Sequence, residues 1–133
     1  MAMPELTVVA QGALPTGERW AVRAGGTTRD YYTFLGTVHP DGHRDKGGMG
    51  GPPLRPGRVV NCSTGRGLLR VLARTAPQVR RIRLELGSGE VRELAPAGAD
   101  PARGLTFFAA LLRPAQTLTA LLPLDAEGQV IDP

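Results

Sequence analysis

Polar and apolar residues alternate most clearly between positions 79 and 94. From Arg81 to Leu86 every second residue is apolar, which places Ile82, Leu84 and Leu86 on one face of a strand and predicts that this face is buried. Gly87, Ser88 and Gly89 tolerate positive φ, and Val91 and Leu94 resume the apolar series, so the segment reads as a β-hairpin. Two registers are open to it. A two-residue loop sets Leu84 against Val91 and Arg83 against Arg92, while a four-residue loop pairs Glu85 with Arg92 and Leu86 with Val91. Cross-strand charge prefers the second by at most about 1 kcal/mol.

The same reasoning finds a second hairpin at the C-terminal end. There Leu118, Ala120 and Leu122 lead through Asp125, Ala126, Glu127 and Gly128 into Val130 and Ile131, with an apolar density that suggests a central strand. Leu6 to Val9 and Trp20 to Val22, separated by Gly12, Pro15 and Gly17, fit a third hairpin. Tyr31 to Val38 is the richest aromatic and β-branched cluster and reads as a strand ended by Pro40, Asp41 and Gly42. Leu105 to Leu112 has the length of a strand covered on both faces, entered through one helical turn at Pro101 to Gly104, although Asp100 and Pro101 also suit a helix start. Leu68 to Ala73 reads as another short strand, and Asn61 to Gly65 as a turn closing the strand that holds Val59 and Val60. Eight or nine strands spaced by turn signals predict an all-β chain. The expected form is one antiparallel β-sandwich domain over residues 1–133, with a small closed β-barrel as the alternative.

Composition fits this picture. Of 133 residues, 41% are hydrophobic and 21% charged, enough apolar material for one core, and 18 glycines with 12 prolines require many turns. No apolar run approaches the length needed to cross a bilayer, and residues 1–14 do not read as a secretion signal. The net charge of +4 raises the question of nucleic acid, but the basic excess is spread over both halves and no basic arm stands out. Lys46 is the only lysine among the sixteen basic residues, an arginine skew that GC-rich coding produces readily. With Cys62 as the only cysteine, no intrachain disulfide or multi-cysteine zinc site can form, which suits a reducing cytosol.

Residues 39–58 do not read as scaffold. From Gly47 to Gly57, five glycines and three prolines fill eight of eleven positions, which predicts a long loop. Just before it, His39, Asp41, His43 and Asp45 could offer nitrogen and oxygen ligands to a metal, although Pro40-Asp41-Gly42 is equally a plain turn. Gly47, Gly48, Gly50 and Gly51 lack the Lys-Ser or Lys-Thr pair of a phosphate-binding P-loop. Cys62 would need His39 or His43 as a base to act as a nucleophile, and its ordinary role is that of a small buried apolar residue. Trp20 beside Arg19 and Arg23 is either core or a stacking platform. Tyr32 and Phe34 share one strand face, leaving Tyr31 on the other as the exposed aromatic.

The run Val79-Arg80-Arg81-Ile82-Arg83-Leu84-Glu85-Leu86 with Gly89-Glu90-Val91, then Leu105-Thr106-Phe107-Phe108-Ala109, then Leu124-Asp125-Ala126-Glu127-Gly128-Gln129-Val130, resembles the immunoglobulin-like β domains of uncharacterised actinobacterial proteins. The resemblance covers about residues 68–131 and implies an adhesive or structural module with no catalytic residue to carry over. The expected function is therefore a non-catalytic interaction or accessory module that binds another protein. Its contact element would be the Gly/Pro-rich loop, through His39, Asp41, His43, Arg44, Met49, Leu54 and Arg55, with no cofactor. An edge strand open to pairing would allow a homodimer. The alternatives are a small enzyme or metal-binding protein using His39, Asp41, His43 or Cys62, and an arginine-driven nucleic-acid binder.

Overall fold

The computed structural model describes residues 5–27, 30–50 and 58–131, which form three antiparallel sheets and one short 3-10 turn. β1 (Thr7–Ala13), β2 (Arg19–Gly26), β3 (Tyr31–Val38) and β4 (Arg44–Met49) make a meander in the order β1-β2-β3-β4. The second sheet combines β5 (Arg58–Gly65), β6 (Leu68–Thr75), β9 (Gly98–Asp100) and β10 (Leu105–Leu112) in the order β5-β6-β10-β9. β7 (Arg81–Leu86), β8 (Val91–Leu94) and β11 (Leu118–Leu124) form the third, ordered β11-β7-β8. The all-β, sandwich-like architecture is as expected, and none of the sheets closes into a barrel.

The middle sheet is covered on both faces. Because side chains alternate along a strand, Leu69, Val71 and Ala73 of β6 face one way with Phe108 and Ala110 of β10. They pack against Ile82, Leu84, Leu86 and Leu121 of the third sheet. Leu68, Leu72, Leu105, Phe107 and Leu111 face the other way and meet Val22, Ala24, Tyr31 and Leu35 of the first sheet. This double coverage explains why β10 is an almost continuous apolar run, and why Leu68 to Ala73 shows no clean alternation. Pro101 to Arg103 form the helical turn expected before β10, closed by Gly104 at φ 65°.

Four of the hairpins use one turn. At Leu14–Glu18, His39–His43, Leu86–Glu90 and Asp125–Gln129, the first residue donates its N–H to the fifth residue's carbonyl and accepts from the N–H of a glycine at the fourth position. Those glycines, Gly17, Gly42, Gly89 and Gly128, have φ between 78° and 101°. This is a three-residue loop with its last residue in the left-handed region, where a Cβ would be strained. It gives the β7–β8 hairpin a register between the two anticipated: Glu85 lies opposite Val91 and Arg83 opposite Glu93. The charge complementarity is kept by a different pairing.

Four other expectations are corrected. Arg44–Met49, placed in the long loop, is strand β4, paired with β3 from Val38↔Arg44 to Thr33↔Met49. Glycine weakens a strand but does not forbid it when a well-formed neighbour supplies the ladder, and β3 does so here. Asn61 to Gly65, read as a turn, belongs to β5, and the turn is Arg66-Gly67 with both residues at positive φ. Finally, β11 is an edge strand, with β7 central, and the described chain beyond it returns to β11 through the bridge Leu124↔Val130 and the bond from the Ile131 N–H to the Pro123 carbonyl. The described strands also number eleven where eight or nine were expected, because the glycine-rich β4 and the short β8 and β9 escape a search for apolar runs.

Phe108 is fully buried between the middle and third sheets. Phe108→Ala should lower the unfolding free energy by about 3–5 kcal/mol in urea denaturation. Gly89→Ala should cost about 1–2 kcal/mol through its positive φ. Gly87→Ala, whose added Cβ meets only ordinary contacts at 3.5 Å and beyond, should cost much less.

Candidate functional site

His39, Asp41, His43 and Asp45 gather at one end of the interface between the first two sheets, and they bond to one another and to neighbouring arginines. Oδ2 of Asp45 accepts hydrogen bonds from His39 Nε2 at 2.6 Å and Arg70 Nη1 at 3.2 Å, and its Oδ1 accepts from His43 Nε2 at 3.0 Å. The His39 bond, with those of His43 and the charge of Arg70, holds the Asp45 carboxyl below the usual aspartate range against the opposing effect of burial. His39 is 6% exposed. Asp41 caps its own turn by accepting from the His43 backbone N–H at 3.0 Å, and it pairs with Arg66 at 2.7 Å. Those two contacts lower its pKa as well. Both imidazoles donate to one carboxylate and so do not converge on an ion. Among the described residues no group of three or more His, Cys, Asp or Glu side chains could hold a metal.

A second polar cluster closes the other end of that interface. The guanidinium groups of Arg74 and Arg103 lie 5.4 and 5.0 Å from the Tyr31 ring centroid, and the Tyr31 hydroxyl donates to Asp100 at 2.9 Å. Burial and the Asp100 contact push the Tyr31 phenol well above its ordinary range. Arg103 also reaches Asp100 and the Gly26 carbonyl, and Arg74 donates to Thr33 Oγ1 at 3.1 Å. Tyr31 is thus a core residue, not the exposed aromatic anticipated. Both clusters join the first sheet to the middle one, through Asp45–Arg70 at one end and Tyr31–Asp100 at the other.

Cys62, expected to be buried, is exposed on β5, and desolvation by its surroundings raises its thiol pKa. It pairs with Val71, whose side chain faces the third sheet, whereas Arg70 points toward Asp45 and the first sheet. The thiol and the histidines therefore lie on opposite faces of the middle sheet, and no thiol–imidazole dyad exists. Trp20 is half-buried and packs against the core of Val22, Leu35, Leu68, Leu72 and Leu111, the plainer of its two readings. Leu54 and Arg55 lie outside the described residues. Arg44 is exposed on β4.

The arrangement that sequence reading missed is the outer face of the first sheet. In β3 the buried residues are Tyr31, Thr33, Leu35 and Thr37, so Tyr32, Phe34, Gly36 and Val38 face outward. The register then places Ala21 and Lys46 beside Gly36, Arg19 and Arg44 beside Val38, and Arg23 beside Phe34. The small side chains at Ala21 and Gly36 leave a groove of about 690 Å³ flanked by Arg19, Arg23, Arg44 and Lys46. All four cations are exposed and none has a carboxylate partner among the described residues. Asp45 is the only acid in the four strands, and it points inward. The alternation of β2 carried half of this signal. The other half is hidden in the sequence, because the glycines of β4 mimic a loop and only pairing with β3 brings Arg44 and Lys46 to this face.

No protein-family model, curated protein or solved structure matches the chain. No helix among the described residues is long and apolar enough to cross a membrane.

Asp45→Asn should destabilise the protein by about 1–3 kcal/mol at pH 7, read from chemical denaturation, because His39 and Arg70 lose an ionised acceptor. The lowered carboxyl pKa means that this stabilisation is present at neutral pH and is lost as pH falls through the folded-state value. The wild-type advantage over Asp45→Asn should therefore begin to shrink only near about pH 4, the unfolded-state value, and vanish below the lower folded-state value.

Proposed function

We propose that this chain is a non-catalytic binding module that holds an anionic partner on the outer face of the β1–β4 sheet. The observation that carries the reading is the cation set Arg19, Arg23, Arg44 and Lys46 around a small-residue groove, with no outward carboxylate in the four strands. Exposed cations on an ordinary surface are interspersed with acids, and a single-sign field over a concave face concentrates anions and speeds their encounter. The paired state of Asp45, Asp100 and both histidines supports a binding role over a catalytic one, since the two carboxylates join sheets through Arg70 and Tyr31 and both histidines are bonded to Asp45.

An interaction module was also the expectation from sequence, with the contact element placed at residues 39–58. Arg44 is common to both readings, and the strand face supplies the remainder of the surface. The immunoglobulin-like reading of the second half fits such a role and is supported by the face-to-face antiparallel sheets. The meander of the first sheet and the third layer depart from a two-sheet, Greek-key plan.

Retention on immobilised heparin, a generic polyanion, tests the assignment. Arg23→Ala/Lys46→Ala should elute at clearly lower salt than the wild type. Arg80→Ala/Arg81→Ala, which removes the same charge elsewhere, should elute close to the wild type. Equal shifts for the two variants would mean that only net charge matters and would overturn the assignment of this face.

A further inference from the structure

Beside the groove, on the same outer face, the rings of Tyr32 and Phe34 form a near-parallel pair, with centroids 6.2 Å apart and planes 11° from parallel. They lean over the neighbouring strand at two glycines. A Cβ added to Gly50 would lie 2.9 Å from Tyr32 Cε1, and one added to Gly48 would collide with Phe34 Cδ1. The glycines that made this stretch look like a loop are thus what lets two aromatic rings spread across the sheet surface. Cations border the pair: Lys46 Nζ is 4.7 Å from the Phe34 centroid, and Arg23 is the cross-strand neighbour of Phe34 on β2.

We infer that the partner of this face is single-stranded nucleic acid, its bases stacking on Tyr32 and Phe34 and its phosphates meeting Arg19, Arg23, Arg44 and Lys46. The inference rests on the reading of this face as the binding surface and adds the partner's chemistry. An acidic protein segment would engage the cations but has no use for an adjoining ring pair. A nucleic acid strand carries a regularly charged backbone and a π-face on every residue, so it matches both halves of the surface. Duplexes keep their bases stacked internally, whereas rings presented on a sheet receive bases that are free to splay out.

The test is fluorescence anisotropy of a fluorescein-labelled oligo(dT) of about 12 nucleotides, within the usual site size of a single-strand groove. Wild-type protein should bind it more tightly than the matching duplex. The logarithm of affinity should fall with the logarithm of salt at a slope approaching about −3 if all four cations meet phosphates. Phe34→Leu and Tyr32→Leu, which keep apolar bulk over the glycines, should each weaken binding about 5- to 150-fold, the loss of one stacked base. Arg23→Ala/Lys46→Ala should flatten the salt dependence, and Arg80→Ala/Arg81→Ala should match the wild type. Circular dichroism and thermal melting verify that each variant is folded.

Duplex binding as tight as single-strand binding, or unchanged affinity in both ring variants, would overturn the inference. Absence of oligonucleotide binding would overturn it as well. If heparin retention still depended on Arg23 and Lys46 in that case, the binding face would stand with a different anionic partner. Loss of that dependence would remove both readings together.

Discussion

The pairing of β6 with β10 is the contact on which the other layers depend. These adjacent strands run antiparallel from Thr75↔Thr106 to Leu69↔Leu112, and each presents one row of side chains to the first sheet and the other to the third. A one-residue slip would exchange the two rows. The faces are not equivalent, since Arg70 and Arg74 alternate with Leu68 and Leu72 toward the first sheet, whereas the side toward the third carries Leu69, Val71 and Ala73. Slippage would drive two guanidinium groups into an apolar layer, so their burial fixes the register as firmly as the leucines do.

The interface between the first two sheets differs in kind from the one beneath it. Its middle is apolar, and each end is closed by an ion pair with added hydrogen bonds: Asp45–Arg70 with His39 and His43 at one end, Asp100–Arg103 with Tyr31 at the other. Glu18 adds to the first end by accepting from Thr16 and Arg113. Such closures contribute less than the apolar centre does, but each demands a defined angle between partners. They orient the first sheet on the middle one, and with it the outward-facing cations.

Much of this was legible from residue order. The hairpin faces of β7, the aromatic strand β3, the double coverage of β10 and its short helical entry all follow from period-two patterning and length. Sequence reading failed where tertiary pairing overrode local preference. Arg44 to Met49 holds two glycines and no β-branched residue, and it is a strand only because β3 offers an open ladder. That one misreading hid the groove, since Lys46 comes beside Gly36 and Ala21 through pairing alone. Charge behaved likewise. The basic residues are evenly spread along the chain, and folding sorts them, sending Arg70 and Arg74 inward while Arg19, Arg23, Arg44 and Lys46 share one outer face.

Strand alternation separates the residues that hold the first sheet in place from those it displays. Trp20, Val22 and Ala24 point inward, and Arg19, Ala21 and Arg23 point outward from the same six residues of chain. Substitutions on the outward register can therefore change what this face presents, while those on the inward register act on folding, with little interference between them. The inward rows and turn glycines are tied to the fold, whereas the displayed row is free to vary without disturbing it. Gly48 and Gly50 are the exceptions, because they carry no side chain of their own and yet determine how two displayed rings lie.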